Sequence, residues 1–307
     1  MAKKREGGRM DSSILVPAAT AILPMLIIFA LIAAVRHTEG LRRGNSPFNR
    51  DFLRPAGFSL QRRLEELQLE LALSFGFGLF VPMWFYSMWL SVQNWSPDAA
   101  NPSLAAFYTV AGAGGFLFLL SRTLHNYRSL RSIRAGLDGE LATGQELDRL
   151  MRHGCRIFHD VPAAGSNIDH VVIGPTGVLA VETKAKLRSD RGRGAEDATV
   201  LFDGHRLSFP GHSDTGYLDQ AGRQAKWLSH WLRTKLGEDV PVKPVLALPG
   251  WYVDRRGDGS VSVVNPKEAA KLLQGSSVLD RKRQELIAFQ LERACRADPP
   301  RSVRRTF

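Results

Sequence analysis

The chain has 307 residues, a formal net charge of +11 and two cysteines, Cys155 and Cys295. Two distant cysteines exclude the disulfide framework of a small secreted domain and are typical of a reducing compartment. The apolar residues are concentrated before Arg122, whereas the sequence from Arg122 onward has 30 Lys and Arg against 22 Asp and Glu, a net charge of +8. The composition therefore averages two different parts, and the basic second part favours a polyanionic partner, either nucleic acid or anionic lipid.

Three segments without any charged residue predict membrane-spanning helices. They are residues 14–35, 71–92 and 104–121. Each is about long enough to cross a hydrocarbon layer of roughly 30 Å. A cleaved signal peptide is the alternative for the first segment, but this segment is long for a signal sequence and no small-residue cleavage site follows it. We therefore expect residues 1–125 to form an α-helical membrane anchor, without the intramembrane charges of a transport pathway.

Basic residues indicate which ends of these spans face the cytoplasm. Residues 36–70 contain seven arginines and four more follow the third span, whereas residues 93–103 contain no Lys or Arg. Because basic loops stay inside, the second and third spans should form a hairpin in the inner (plasma) membrane, with the soluble domain in the cytoplasm. The basic N-terminus, with Lys3, Lys4, Arg5 and Arg9, also favours the inside, although three crossings would place it outside. The number of crossings and the side of the N-terminus stay open.

Residues 126–297 are predicted to form an α/β domain, followed by a disordered basic tail, 298–307. The turn GPTG at 174–177 predicts a hairpin, and Asp203 with Gly204 predicts a second one. The predicted elements are a helix at about 138–152, strands at 156–160, 168–173 and 178–184, a helix at about 218–236, strands at 242–248 and 261–264, and C-terminal helices up to about 295.

The first predicted hairpin brings acidic residues together. Glu182 and Lys184 are two residues apart in VLAVETK, so both side chains point to one face of a strand. With a four-residue turn, residues whose numbers sum to 351 pair across the hairpin, which sets Asp169 opposite Glu182. Two carboxylates there have Cβ atoms about 5 Å apart, which is destabilising unless a cation or a proton compensates the repulsion. The pattern predicts a divalent metal site.

Two predicted helices carry polar residues that suit such a site. Glu140 lies early in the first helix, on the stripe that continues through Leu147, so it is predicted to face the core. A buried carboxylate needs a partner, which a shared metal site supplies. Gln220 and Gln224 share one face of the later helix and are candidates to orient a substrate or the metal site.

The stretches GLDGE, IDHVVIGPTGVLAVETK and YLDQAGRQAKWL, in this order, resemble the nuclease-related domain (NERD), a branch of the PD-(D/E)XK nuclease-like superfamily. The resemblance covers residues from about 136 to 273. It implies a restriction-endonuclease-like mixed sheet flanked by helices. Ile168 precedes the first acid where the strict superfamily pattern has proline, a departure that is usual in the NERD branch.

The resemblance also implies roles for individual residues. The metal-binding acids are Asp169 and Glu182, the catalytic lysine is Lys184, and the accessory helix positions are Glu140 and Gln220; Gln224 is a weaker match. The expected activity is metal-dependent hydrolysis of phosphodiester bonds, with Mg²⁺ or Mn²⁺ held by Asp169, Glu182 and Glu140. The expected partners are nucleic acid, with DNA favoured, and the lipid bilayer.

Other functions stay open at this point. A catalytically silent module on the same fold would hold nucleic acid or a protein at the membrane. A purely structural membrane protein would leave the opposed acids unexplained. The basic run 184–193 is either a phosphate-contacting loop or a solvated loop.

Several polar and aromatic residues are not predicted to be ligands. His170 points away from Asp169 and is expected to be a hydrogen-bonded or surface imidazole. His153 and His159 lack zinc-finger spacing around Cys155. Trp227 and Trp231 are expected in the core.

Overall fold

The computed structural model describes residues 52–95, 97–186 and 194–296, together with a few helical positions between 23 and 34. Most of the predicted span 14–35, the end of the basic run and the tail 298–307 lie outside the described residues. The chain divides into two compact units: the first contains Glu66–Leu130, and the second contains the described residues of Pro47–Glu65 and Arg131–Pro299. The domain boundary at 125/126 stays a prediction.

Two long helices, α1 (Phe58–Trp95) and α2 (Pro102–Asp148), supply the first unit. Both are long and apolar enough to cross a membrane, and they contain the predicted spans 71–92 and 104–121. Only 11% and 6% of their apolar windows are buried within the protein, unlike the core helix of a soluble protein. Exposed apolar side chains such as Met83 and Val110 cover their surface, as expected of helices whose solvent is lipid.

Small residues bring α1 and α2 into contact. A Cβ added at Gly115 would lie 2.8 Å from Val81 Cγ1, and one at Gly112 would lie 3.4 Å from Phe85 Cβ. Glycine thus serves helix packing at these positions and at Gly78, which faces Leu119. It does not hold at 76 and 114, where an added Cβ would meet nothing within 4 Å in the described structure.

The second unit is built on a five-stranded mixed sheet in the order β1-β2-β3-β7-β9. The first three strands are antiparallel, whereas β7 pairs parallel to β3 and β9 parallel to β7. The strands are β1 (Arg156–Ala163), β2 (Ser166–Gly174), β3 (Gly177–Thr183), β7 (Val242–Ala247) and β9 (Ser262–Val264).

A smaller sheet has the order β6-β5-β4-β8. Its strands are β4 (Thr199–Phe202), β5 (Leu207–Phe209), β6 (His212–Asp214) and β8 (Tyr252–Arg255). The hairpin predicted at Asp203 and Gly204 is confirmed by the pairing of β4 with β5. The short strands β6 and β8 are additions to the predicted elements.

Helices cover both faces of the larger sheet. α3 (Gly216–Leu236) and α4 (Arg281–Ala294) pack on one face around Leu228, Leu232 and Ile287. The end of α2 and the 3₁₀ helix Pro266–Leu273 contribute to the core of the other face. The predicted mixed α/β fold is thus confirmed. The helix predicted at 138–152 is not a separate element, because α2 runs without a break from Pro102 to Asp148 before a 3₁₀ turn, Arg149–His153.

Candidate active site

The β2–β3 hairpin positions the two acids that the sequence predicted to oppose each other. Its observed register pairs Ile173 with Val178 and His170 with Val181, as predicted. Continuing this register past the last pair places Asp169 beside Glu182. The backbone N–H of Thr183 donates a 2.7 Å hydrogen bond to Asp169 Oδ2, which fixes that carboxylate at the end of the hairpin.

Glu182 lies on the face of β3 that α3 covers, two residues beyond the core residue Ala180. The residue is only 2% exposed. Its Oε1 accepts hydrogen bonds from Lys184 Nζ at 2.5 Å and from Gln220 Nε2 at 2.7 Å. Its Oε2 accepts one from Gln224 Nε2 at 2.5 Å. A buried carboxylate is thus satisfied by one cation and two amides, and both glutamines act on it from one face of α3.

Glu140 reaches the same region from α2. It is buried, as its place on the predicted stripe indicated, and accepts a hydrogen bond from the backbone N–H of Gly57. Burial, followed by the negative charges of Asp160 and Glu182, raises the pKa of Glu140 to about 7. The Lys184 charge and the Gly57 hydrogen bond act in the opposite direction. Glu140 is therefore close enough to the strand-borne acids to interact with their charges.

Asp169 is affected in the same way. Burial, followed by the charges of Glu182 and Glu140, raises its pKa well above the usual range for an aspartate. Asp169 and Glu182 are thus neighbours in the hairpin register, and Lys184 and Gln220 contact Glu182. Glu140 lies within reach of the charges of both acids. Such an arrangement binds a proton or a cation more readily than isolated acids do.

The chemistry of this group fits a hard divalent cation, because carboxylate oxygens are the ligands that Mg²⁺ and Mn²⁺ prefer. Gln224 Oε1 is also buried and has no hydrogen-bond partner in the part of the chain that the structure describes. Within residues 52–95, 97–186 and 194–296, however, no three His, Cys, Asp or Glu side chains surround one point as metal ligands. Glu182 is held by Lys184 and the glutamines instead, so the carboxylates must turn toward one another to share an ion.

Asp160 is a neighbour of the site that the sequence did not indicate. It lies in β1 with a positive φ of 49° and is only 3% exposed. The β1–β2 register pairs the residues on either side of Asp160 with those on either side of Asp169. Its left-handed backbone is disfavoured for a residue with a side chain, and strain of this kind is often found at functional sites. The register of the short β1–β2 turn was the one signal in the sequence that could have revealed it.

Aromatic and basic side chains lie next to Lys184. Its Nζ lies 5.5 Å from the centroid of the Tyr217 ring. Lys186 Nζ contacts His212 Nε2 and lies 4.7 Å from the centroid of the Phe209 ring. The first two lysines of the basic run thus flank the candidate site, and the arginines that follow lie outside the described residues.

His170 is a hydrogen-bonded imidazole, as the sequence predicted. His170 is fully buried on the opposite face of β2, and its Nδ1 lies 2.8 Å from His159 Nδ1. His159 Nε2 contacts Asp148 Oδ1 at 3.1 Å. Burial lowers the pKa of both imidazoles. Trp227 and Trp231 pack against the core.

Comparison with known families gives a match for the second unit. The model of the nuclease-related domain, NERD, matches residues 135–249, a range that includes all five predicted site residues. Comparisons with curated proteins and with solved structures gave no significant match. Since the matched range contains the β2–β3 hairpin, its acids and the two glutamines of α3, residues 135–249 of this chain are a nuclease-related domain.

Proposed function

We propose that this protein is a membrane-anchored, metal-dependent nuclease. The observation that carries the proposal is the convergence of Asp169, Glu182 and Glu140 next to Lys184, within a nuclease-related domain. Phosphodiester hydrolysis requires neutralisation of phosphate charge and a deprotonated water. Carboxylates that repel one another can bind the divalent cation that neutralises the phosphate charge. The lysine beside them can orient the attacking water.

Asp169 and Glu182 would hold Mg²⁺ or Mn²⁺, with Glu140 as the third acid. A bound divalent ion supplies charge neutralisation and lowers the pKa of a coordinated water. Lys184, with its side chain 27% exposed, faces solvent at the edge of the site and would orient the water or stabilise negative charge that develops on the phosphate. Gln220 and Gln224 hold the Glu182 carboxylate in place from α3.

Nucleic acid is the proposed substrate, and DNA is the favoured form. The region from Arg122 onward carries a net charge of +8, and lysines 184 and 186 flank the acids. Positive charge beside an acidic metal site attracts a polyanion to the residues that cleave it.

The anchor is proposed to place this domain on the cytoplasmic face of the plasma membrane. Residues 93–103, which connect the two spans, contain no Lys or Arg, whereas arginines flank the other ends of both helices. This asymmetry supports a hairpin of α1 and α2 with its short loop outside and the lipid bilayer as a partner. Multi-pass insertion confines the nuclease to a thin layer at the membrane.

A catalytically silent binding module is the second candidate. The hydrogen bonds around Glu182 favour it, because Lys184 and two glutamines already satisfy this carboxylate without a metal. In that case the fold would hold nucleic acid without cutting it.

Cleavage by the full-length protein in detergent separates these functions. Labelled single- and double-stranded DNA and RNA are incubated with Mg²⁺, Mn²⁺ or EDTA. Wild type is compared with Glu182→Gln and Lys184→Met, and with Glu285→Gln and Lys282→Met on exposed positions of α4 as matched controls. We expect metal-dependent cutting that falls about 100-fold or more in the two site variants, since each removes a charge from the reacting centre. Salt-sensitive binding without cutting in wild type would establish the silent module instead.

A further inference from the structure

A short segment that ends in the first turn of α1 packs against the nuclease-related domain, although it lies about 80 residues upstream of the matched range in the sequence. We call residues 52–59 the docking segment. Leu53 forms an isolated antiparallel bridge with Arg296, and the Arg54 backbone N–H donates a 2.9 Å hydrogen bond to the Cys295 carbonyl. The segment thus pairs with the end of the second unit and continues directly into α1.

Its polar side chains converge on Asp160. Arg54 Nη1 lies 3.3 Å from Asp160 Oδ2 in an ion pair with side chains that are only 12% and 4% exposed. Ser59 Oγ donates a 2.8 Å hydrogen bond to the same oxygen, and the Ser59 backbone N–H lies 3.4 Å from Oδ1. The charge of Asp160, which acts on Glu140, is therefore compensated by a cation from the docking segment.

Gly57 contacts Glu140 directly. A Cβ added at Gly57 would lie 3.9 Å from Glu140 Oε2, and the Gly57 backbone N–H donates a hydrogen bond to this carboxylate. Its φ is +72°, and an added Cβ would lie 2.3 Å from Leu137 Cδ1, so a larger residue would strain the backbone and clash with α2. The close approach that allows this hydrogen bond depends on glycine.

The docking segment also reaches the other side of the site through Asn167. Asn167 Nδ2 donates to Ser59 Oγ at 2.6 Å. The carbonyl of the same residue accepts a 3.1 Å hydrogen bond from Gln224 Nε2, which also holds Glu182. Ser59 is thus linked by two residues to the Glu182 carboxylate, as Gly57 is linked directly to Glu140.

We propose that the docking segment is part of the catalytic site: Gly57, with Arg54 and Ser59 acting through Asp160 and Asn167, positions Glu140 and the Glu182–Gln224 pair for metal-dependent cleavage. The proposal rests on the nuclease function proposed above. These are positioning residues, because Gly57 acts on Glu140, whereas Arg54 and Ser59 act through Asp160 and Asn167. A nuclease-related domain that lacks residues 52–59 would keep its acids but lose the groups that hold two of them.

The test compares Gly57→Ala with Gly237→Ala in the full-length protein. Gly237, at the end of α3, has a similar φ of +76°, and an added Cβ would meet no described atom within 4 Å, so this variant has the backbone strain without the clash. The measurements are kcat and KM for cleavage, Mn²⁺ affinity by calorimetry, the unfolding midpoint, and amide hydrogen exchange of residues 52–57.

For Gly57→Ala we expect faster exchange in the docking segment, a fall in kcat of about 10- to 100-fold with KM within about twofold, and weaker Mn²⁺ binding. Gly237→Ala should retain wild-type kcat and Mn²⁺ affinity. Ser59→Ala should also lower kcat, whereas Ser59→Thr, which keeps the hydroxyl, should have a kcat close to that of wild type. Faster exchange with unchanged kcat and Mn²⁺ affinity in Gly57→Ala would overturn the proposal.

Failure of the nuclease function gives a different result. If wild type cuts none of the substrates but binds Mn²⁺, the nuclease proposal is wrong, and the Mn²⁺ affinities of Gly57→Ala and Gly237→Ala decide the role of the docking segment. If wild type neither cuts nor binds Mn²⁺, both proposals are wrong.

Discussion

Glu140, Asp169 and Glu182 raise the free energy of the folded state when all three are ionised. Glu182 is compensated by Lys184 and two glutamines, and Asp169 by one backbone N–H, whereas Glu140 depends on the Gly57 N–H in a buried setting. This repulsion is a cost in stability that a structural protein has no reason to retain. At the scale of single residues, it is the clearest physical sign of a functional site.

The raised pKa of Glu140 predicts how stability changes with pH. Its pKa is about 7 in the folded protein and 4.5 in the ordinary case, so the folded state binds this proton more tightly than the unfolded state. The unfolding free energy should therefore fall as pH rises through this window. In EDTA, the unfolding free energy of wild type should fall by about 3 kcal/mol more than that of Glu140→Gln between pH 4.5 and pH 7.5.

Chemical denaturation of the full-length protein at several pH values measures this difference. Glu285→Gln, on an exposed position of α4, serves as the control and should reproduce the wild-type pH profile. A difference between Glu140→Gln and wild type that does not vary with pH would show that Glu140 is not held in the proposed environment.

The opposed acids could be predicted from sequence because hairpin register is local. A turn of four residues determines every pair on both strands, and the structure reproduces that register. The partners of Asp160 could not be predicted in this way. Arg54 and Ser59 lie more than 100 residues before Asp160, and the left-handed backbone of Asp160 follows from packing and not from a local pattern.

At the scale of elements, α2 joins the predicted span 104–121 and most of the helix predicted at 138–152. Its first part is apolar, whereas its last turns carry Glu140 and the core residue Leu147. The hydrophobic pattern changes along the helix, from apolar on all sides to one apolar stripe, so the sequence predicts two elements where the structure has one helix. No proline lies between Pro102 and Asp148, so nothing in the sequence stops the helix.

The glycines of the helix hairpin make a prediction about elements. Gly115→Leu should force α1 and α2 apart, because a Cβ there would already lie 2.8 Å from Val81 Cγ1. We expect a loss in stability of about 1–3 kcal/mol, as for overpacking elsewhere. Gly114→Leu is the matched control, since the added Cβ meets no atom within 4 Å among the described residues.

Thermal unfolding of both variants in detergent measures the effect. Equal midpoints for Gly115→Leu and Gly114→Leu would contradict the observed packing of the hairpin.

At the scale of the whole molecule, the proposed membrane anchor and the basic nuclease-related domain belong to one chain. Its topology can be tested because both native cysteines, Cys155 and Cys295, are buried free thiols and should give little background labelling. We expect a membrane-impermeant maleimide to label Asp98→Cys, in the short connection between α1 and α2, from outside the cell. Ser277→Cys, on the exposed surface of the second unit, should react only after permeabilisation. Labelling of Ser277→Cys in intact cells would place the domain outside.

Calorimetric titration of Mn²⁺ into the full-length protein tests directly whether Asp169, Glu182 and Glu140 form one cation site. Wild type is compared with Asp169→Asn and with Asp219→Asn, which changes an exposed aspartate on α3. We expect saturable binding by wild type and by Asp219→Asn, with affinity at least about tenfold lower in Asp169→Asn because one carboxylate ligand is lost. Undiminished affinity in Asp169→Asn would contradict this expectation.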